Sequence, residues 1–316
     1  MRQPSSARRL VRLLHVVVAV VVVATGFPVL LADPAQALPG ATTPAVAVHV
    51  SNDTRTGWPH NGTGTGFPYD VLPESLRQAL GSDGTPYVEV LDADIAGTGD
   101  PTRTLLDGGT PRYPIVISLA NEDLAPGVVS AMNAYVAAGG FLFIGGSGLT
   151  EFESEVGLTA TTGSYQKANQ LRKEAGQENH RLVAHIPDGL LWWRMPDGRE
   201  ETNIVPNSSW EHRVFPTTVP DTDPATVIAR SFDDGTSRGP IIATQADPSG
   251  GQYIFYGAFS PLIDHGSFHS GMYSYMIIRN AIEWAFEAAD LPIFKRSTWQ
   301  YDYDAAFLVR HDFESD

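Results

Sequence analysis

Residues 113–150 read YPIVISLANEDLAPGVVSAMNAYVAAGGFLFIGGSGLT, and this stretch decides the fold class. It opens with an apolar run, 114–119, rich in Ile and Val and too short for a helix. A polar break (Asn121, Glu122, Asp123) leads to Pro126, which suits a first helical position. Val128, Val129, Met132, Tyr135 and Val136 then recur at helical spacing, and Gly139-Gly140 ends the helix. A second buried-strand run, 141–144, is followed by a turn through Gly145, Gly146 and Gly148. Strand, helix and strand in about 30 residues make a βαβ unit, which implies parallel strands covered on both faces. Ligands of such sheets sit beyond the carboxyl ends of the strands, so Asn121, Glu122 and Ser147 are the candidate binding residues.

Working outward, 45–50 (AVAVHV) and 87–91 are further strands. A short amphipathic helix at 74–80, started by Pro73 and closed by Gly81, separates them. Asp92, Asp94 and Asp100 match a calcium loop only loosely, since Ala96 replaces an oxygen donor, and they read as a solvated turn. Gly62, Gly64 and Gly66 precede Phe67-Pro68 rather than a helix start, which favours a surface loop over a nucleotide loop. The stretch 151–179 is polar and reads as partly helical. In the insertion that follows, Trp192, Trp193 and Trp210 can stack on sugar rings or form local core. Strands are expected at 226–229, 240–244 and 252–256, the last two as a hairpin. The strongest helical periodicity in the chain runs over 270–288. The fold class is therefore α/β: a flavodoxin-like, mostly parallel sheet with helices on both faces, spanning 44–290.

The N-terminus carries Arg2, Arg8, Arg9 and Arg12, a Val-rich run over 15–24 and the A-x-A site Ala35-Gln36-Ala37. Residues 1–37 read as a secretory signal peptide cleaved before Leu38, which makes the protein secreted or cell-surface, with no membrane segment after cleavage. Arg8-Arg9 also permits a twin-arginine reading, and an uncleaved anchor is a further alternative. Losing those four arginines and Asp33 would take the formal charge from −15 to −18. So acidic a chain argues against nucleic acid as a partner. Cysteine is absent, which excludes disulfides, thiolate metal sites and a cysteine nucleophile.

Three places could carry chemistry. Ser147 follows a strand in a glycine-rich turn, as a hydrolase nucleophile does, but Leu149 stands where the elbow pattern requires glycine. A serine-dependent hydrolase would need a loop histidine such as His265 beside it. His265 and His269, four apart and preceded by Asp264, could bind zinc on a helix, although Gly266 and Ser267 favour a loop. Finally, His311 and Asp312 end the apolar run 305–309, placed to ligate a metal.

The last of these, AAFLVRHDFE (305–314), resembles the first strand of NodB-homology polysaccharide deacetylases. The resemblance implies that Asp312 binds a divalent metal such as zinc and that His311 stands at the position of the family's catalytic aspartate. The family's His-x-x-x-His motif follows this strand, whereas His265 and His269 precede it. On this view 291–300 is a linker and 301–316 begins a β/α barrel. The region 44–290 resembles class I glutamine amidotransferase-like domains of the ThuA or β-galactosidase-trimerisation kind, carried by YPIVISLANE, YVAAGGFLFIGGS and IIRNAIEWAF. Together the likenesses imply an exported protein with a polysaccharide or glycan partner. Its α/β domain would be an accessory unit that needs no cofactor and lacks catalysis; a structural or oligomerisation role is the other alternative.

Overall fold

The computed structural model describes residues 41–58, 69–161, 165–168, 170–189, 213–222, 224–258 and 270–293. Residues 1–37, read above as a signal peptide, the glycines at 62–66, Trp192, Trp193, Trp210, Asp264, His265, His269 and the 301–316 stretch with His311 and Asp312 lie outside these residues.

Eight strands build one sheet: β1 (Val46–Val50), β2 (Tyr87–Leu91), β3 (Ile115–Leu119), β4 (Phe141–Gly145), β5 (Gln170–Lys173), β6 (Thr226–Asp233), β7 (Thr236–Ala246) and β8 (Gln252–Tyr256). Their order is β2-β1-β3-β4-β8-β7-β6-β5. Pairings from β2 through β8 are parallel and those from β8 through β5 antiparallel, so the chain is α/β with a mixed sheet. The helices are α1 (Asn52–Gly57), α2 (Val71–Asp83), α3 (Asp92–Ile95), α4 (Pro126–Ala137), α5 (Glu153–Val156) and α6 (Ser270–Ala288).

Alternate residues of a strand face opposite sides, and each side of this sheet has its own core. Val46, Val48, Ile115, Ile117, Phe141 and Phe143 pack with Leu76 and Leu80 of α2 and with Ile277, Ala281 and Ala285 of α6. Ala47, Val116, Leu142 and Ile144 pack with Val128, Met132, Tyr135 and Val136 of α4. The βαβ reading of 113–150 thus holds in both its strands and its helix. Close approach sets the glycines here: a Cβ on Gly140 would lie 2.2 Å from the Tyr135 ring, and one on Gly251 2.0 Å from Val136 O.

Three expectations are corrected. The helix expected at 74–80 runs over Val71–Asp83; Gly81 lies inside it, and Gly84 supplies the left-handed cap at φ 75°. The stretch 151–179 is partly helical as expected: among its described residues it holds the four-residue α5, then two-residue ladders and the edge strand β5, whose polar sequence buries Leu171 alone. Asp92 and Asp94 are not a solvated turn: both are buried, in α3. β6 and β7 outrun their expected lengths because Asp234 and Gly235, both at positive φ, close a tight hairpin between them.

Segment 180–184 fastens across α6. Asn280 Nδ2 donates to Leu182 O and Ala184 O, Arg181 pairs with Glu287, and the His180 ring meets Trp284 edge-on. Burial, helped by the charge of Arg181, pulls the His180 pKa down to about 4.

Candidate functional site

The chain leaves β1 for β2 on one side and later returns to β3 on the other, so the carboxyl ends of β1 and β3 diverge. That switch point is where open α/β sheets bind ligands. Here it is filled by a closed ring of buried polar groups. Ser51 N–H donates to Tyr69 Oη (2.8 Å), so the Tyr69 hydroxyl donates onward to Asn121 Oδ1 (2.6 Å). Asn121 Nδ2 then donates to Ser118 Oγ and to His49 Nδ1, both at 2.9 Å. An amide nitrogen can only donate, so Nδ1 is the acceptor and the ring proton sits on Nε2. Nε2 donates to Asp92 Oδ1 at 2.9 Å. Asp92 Oδ2 accepts from Ser51 Oγ, Asn52 N and Asp53 N, which returns the ring to Ser51.

Burial pushes the Asp92 carboxyl up, but His49 and the N–H and O–H donors outweigh it and hold the pKa below the ordinary value. Burial raises the Tyr69 phenol. Ser118, His49 and Asp92 have the connectivity of a hydrolytic triad, with Ser118 Oγ 3.0 Å from His49 Nδ1. Ser118, however, lies inside β3 and is 2% exposed, so no substrate carbonyl reaches it. The ring is a fastening of strand ends. Asn121, chosen from sequence as a binding residue, belongs to it and is fully buried.

Beside the ring stands a second cluster. Ala120 and Asp123 take left-handed φ values of 51° and 55°, turning the chain sharply after β3. Strain of this kind in a non-glycine residue costs about 1 kcal/mol and collects at sites. Thr54 Oγ1 donates to Glu122 O (2.6 Å), linking the cluster to α1. The Ser147 hydroxyl donates to Glu122 Oε1. Tyr165 Oη accepts from Ser147 N at 2.7 Å and donates to Ser147 Oγ at 3.0 Å. Asp123 N donates to Glu151 Oε1 at 2.9 Å. Burial raises the Glu122 pKa; the Ser147 hydrogen bond opposes this, and the Asp123 and Glu151 charges add to it. Ser147 is buried, and the left-handed residue of its turn is Gly146 at φ 55°. The strained corner where an elbow would project its nucleophile therefore carries no side chain. Among the described residues no histidine hydrogen-bonds Ser147.

Open concavity lies further out, on both sides of the short ladder pairing Thr159–Ala160 with Thr217–Thr218. One pocket, about 630 Å³, is lined by Thr150, Glu151, Glu153, Glu155, Thr159 and Thr222. The other, about 460 Å³, is lined by Thr161, Gln166, Thr218, Arg230, Ser237 and Arg238. Segment 216–222 contributes to both. A Cβ on Gly239, which sits at φ 93°, would fall 1.9 Å from Thr217 O; the bare glycine lets this segment lie against β7.

Of the residues singled out from sequence, the structure joins Glu122 to Ser147 and places Asn121 beneath them; His265, His311 and Asp312 lie outside the described residues. Sequence reasoning missed His49, Tyr69, Asp92, Ser118 and Tyr165, and both arginines of the smaller pocket. His49 and Ser118 left a signal, each as the one polar residue in an otherwise apolar strand. Among the described residues no group of three or more His, Asp or Glu could hold a metal ion, and no helix is long and apolar enough to cross a membrane.

No family model and no curated protein matches the chain. Solved structures similar to it include a β-galactosidase from the Antarctic haloarchaeon Halorubrum lacusprofundi, at 16% identity and TM-score 0.46 over 77% of this chain and 32% of that one. The carbohydrate deacetylase Agd3 is similar at 12% identity and TM-score 0.42, over 73% of this chain and 33% of that one. A cytoplasmic protein from Salmonella typhimurium is similar at 12% identity and TM-score 0.45, over 77% of this chain and 98% of that one. The chain spans about a third of the length of the β-galactosidases it resembles. At these scores nothing about its chemistry follows from them.

Proposed function

We propose that the α/β domain is a glycan-binding accessory domain of an exported, carbohydrate-active protein, related to the ThuA and β-galactosidase-trimerisation kind and without catalysis of its own. The observation that carries this reading is the pair of open pockets along 216–222. Their linings are mainly hydroxyl, carboxylate, amide and guanidinium groups, the complement of a polyhydroxylated ligand. The two buried clusters have their polar groups committed to one another. The NodB-like stretch 305–314 extends the reading to a deacetylase, in which a divalent metal such as zinc would polarise the acetyl carbonyl. Asp312 and His311, which the resemblance assigns to that chemistry, lie outside the described residues.

Titration calorimetry and a glycan array test the binding claim. The expected outcome is binding of oligosaccharides in the micromolar range; a blank array with a folded protein rejects the reading. One observation favours a hydrolase instead, the hydrogen bond between Ser147 and Glu122, a carboxyl whose pKa burial raises. Ester hydrolysis that disappears in Ser147→Ala would establish it. No hydrolysis in the unaltered protein is expected, because Ser147 is buried.

A further inference from the structure

The smaller pocket of this acidic protein is lined by two arginines and, among the described residues, by no carboxylate. The chain carries 36 acidic against 21 basic residues. Arg172 of β5 is in register with Arg230 of β6. Arg238 joins Arg230 in the pocket lining. Like charges opposite each other on adjacent strands destabilise a sheet. Two contacts offset that cost here: Glu174 takes Arg230 Nε at 2.6 Å, and the Arg172 guanidinium lies 4.3 Å from the centre of the Phe232 ring.

The geometry of Arg230 is specific. Glu174 occupies its Nε side, and among the described residues its two terminal nitrogens have no hydrogen-bond partner. That end-on pair is the fork that grips a carboxylate through two parallel hydrogen bonds. Arg238 is oriented by Asp233 Oδ2 at 2.7 Å and Gln166 Oε1 at 3.4 Å. Thr161, Thr218 and Ser237 surround the pair with hydroxyls.

We propose that the 460 Å³ pocket recognises an acidic saccharide, with Arg230 gripping the carboxylate of a uronate residue and the threonine and serine hydroxyls meeting its ring hydroxyls. The proposal rests on the glycan-binding reading and adds the class of sugar. Calorimetry with tetragalacturonate, its neutral tetragalactose counterpart and a fully deacetylated chitosan tetramer tests it. Tetragalacturonate is expected to bind at least about tenfold more tightly than the other two. Arg230→Gln should remove that preference without moving the thermal midpoint. Glu174→Gln should strengthen uronate binding several-fold, because it releases the guanidinium from its internal carboxylate. Equal affinity for acidic and neutral oligomers, preference for the amine oligomer, or a uronate affinity indifferent to Arg230→Gln each overturns the acidic-sugar proposal while leaving glycan binding standing. A sulfated oligomer that binds more tightly with the same Arg230 dependence upholds anion recognition and replaces carboxylate by sulfate. No binding of any oligomer overturns both readings.

Discussion

A histidine in a buried strand is tolerable only if both ring nitrogens find partners, and His49 reaches 43, 69 and 72 residues along the chain to find them. Replacing Asp92 by Ala would strip the acceptor from His49 Nε2, Ser51 Oγ and two backbone N–H groups at once. The expected loss is about 3–5 kcal/mol in urea unfolding, and adding His49→Ala should cost much less than its own separate effect. A loss under about 1 kcal/mol, or simple additivity, would show that the ring does not hold the strand ends. Acid titration probes a different residue. His180 takes up its proton at about 4 in the folded chain against an ordinary 6.5, so the unfolded chain binds more protons between those values. Stability is therefore complete above about pH 6.5 and falls by about 2 kcal/mol, after solvent screening, as the pH drops to about 4. Asp92, with its pKa depressed, adds a further loss at still lower pH, whereas Glu122, with its pKa raised, contributes in the opposite sense. His180→Asn keeps an acceptor for Leu182 N–H and should flatten the upper part of that curve, measured as urea midpoint against pH. Little of this was legible beforehand. Asp92 sits in an acidic stretch that reads as surface, and no spacing rule links it to a histidine two strands' worth of chain away; Asn121 was reached only by the rule about strand ends, which located the position and not its burial.

Elements were easier to read because periodicity is local. The 113–150 stretch and the 270–288 helix each carry their whole signal within one window, and both formed as expected. β5 did not announce itself, since an edge strand with one neighbour needs a single buried side chain, Leu171, and shows no alternation. Two glycines near α4 separate local from tertiary demands. Gly127 lies in the first turn of α4 with nothing near its missing Cβ, so Gly127→Ala should raise stability by about 0.5–1 kcal/mol through helix propensity. At Gly251 the Cβ would sit 2.0 Å from the backbone oxygen of Val136, which no side-chain rotation relieves. Gly251→Ala should cost about 2–3 kcal/mol or more, because β8 must move away from the end of α4. Thermal unfolding of both variants decides: if the two shift together, the contact between β8 and α4 is looser than described.

The whole molecule divides along its sheet. The parallel half, centred on β3 and β4, has helices on both faces and the sealed polar ring at its end; the smaller pocket is built at the antiparallel half, on β6, β7 and residues 216–219, while the larger is lined by residues from 150–157, just after β4, with Thr159, Pro220 and Thr222. That division could not be seen in the chain order, because β8 enters the sheet beside β4 from more than a hundred residues away. Stability should follow the same division. Amides of β3, β4 and β8 have a neighbouring strand on each side and should exchange with solvent only on global unfolding. Those of the edge strands β2 and β5 should exchange earlier by local opening. A bound saccharide would stabilise the half it touches, by mass action on the closed state. Saturating tetragalacturonate is therefore expected to slow exchange in the β6–β7 hairpin and at Thr217–Thr218 while leaving β3 and β4 at their ligand-free rates. If the slowing centres instead on Ala120–Asp123 and Gly146–Gly148, the ligand enters at the switch point after all, and the ring at His49 must open to admit it.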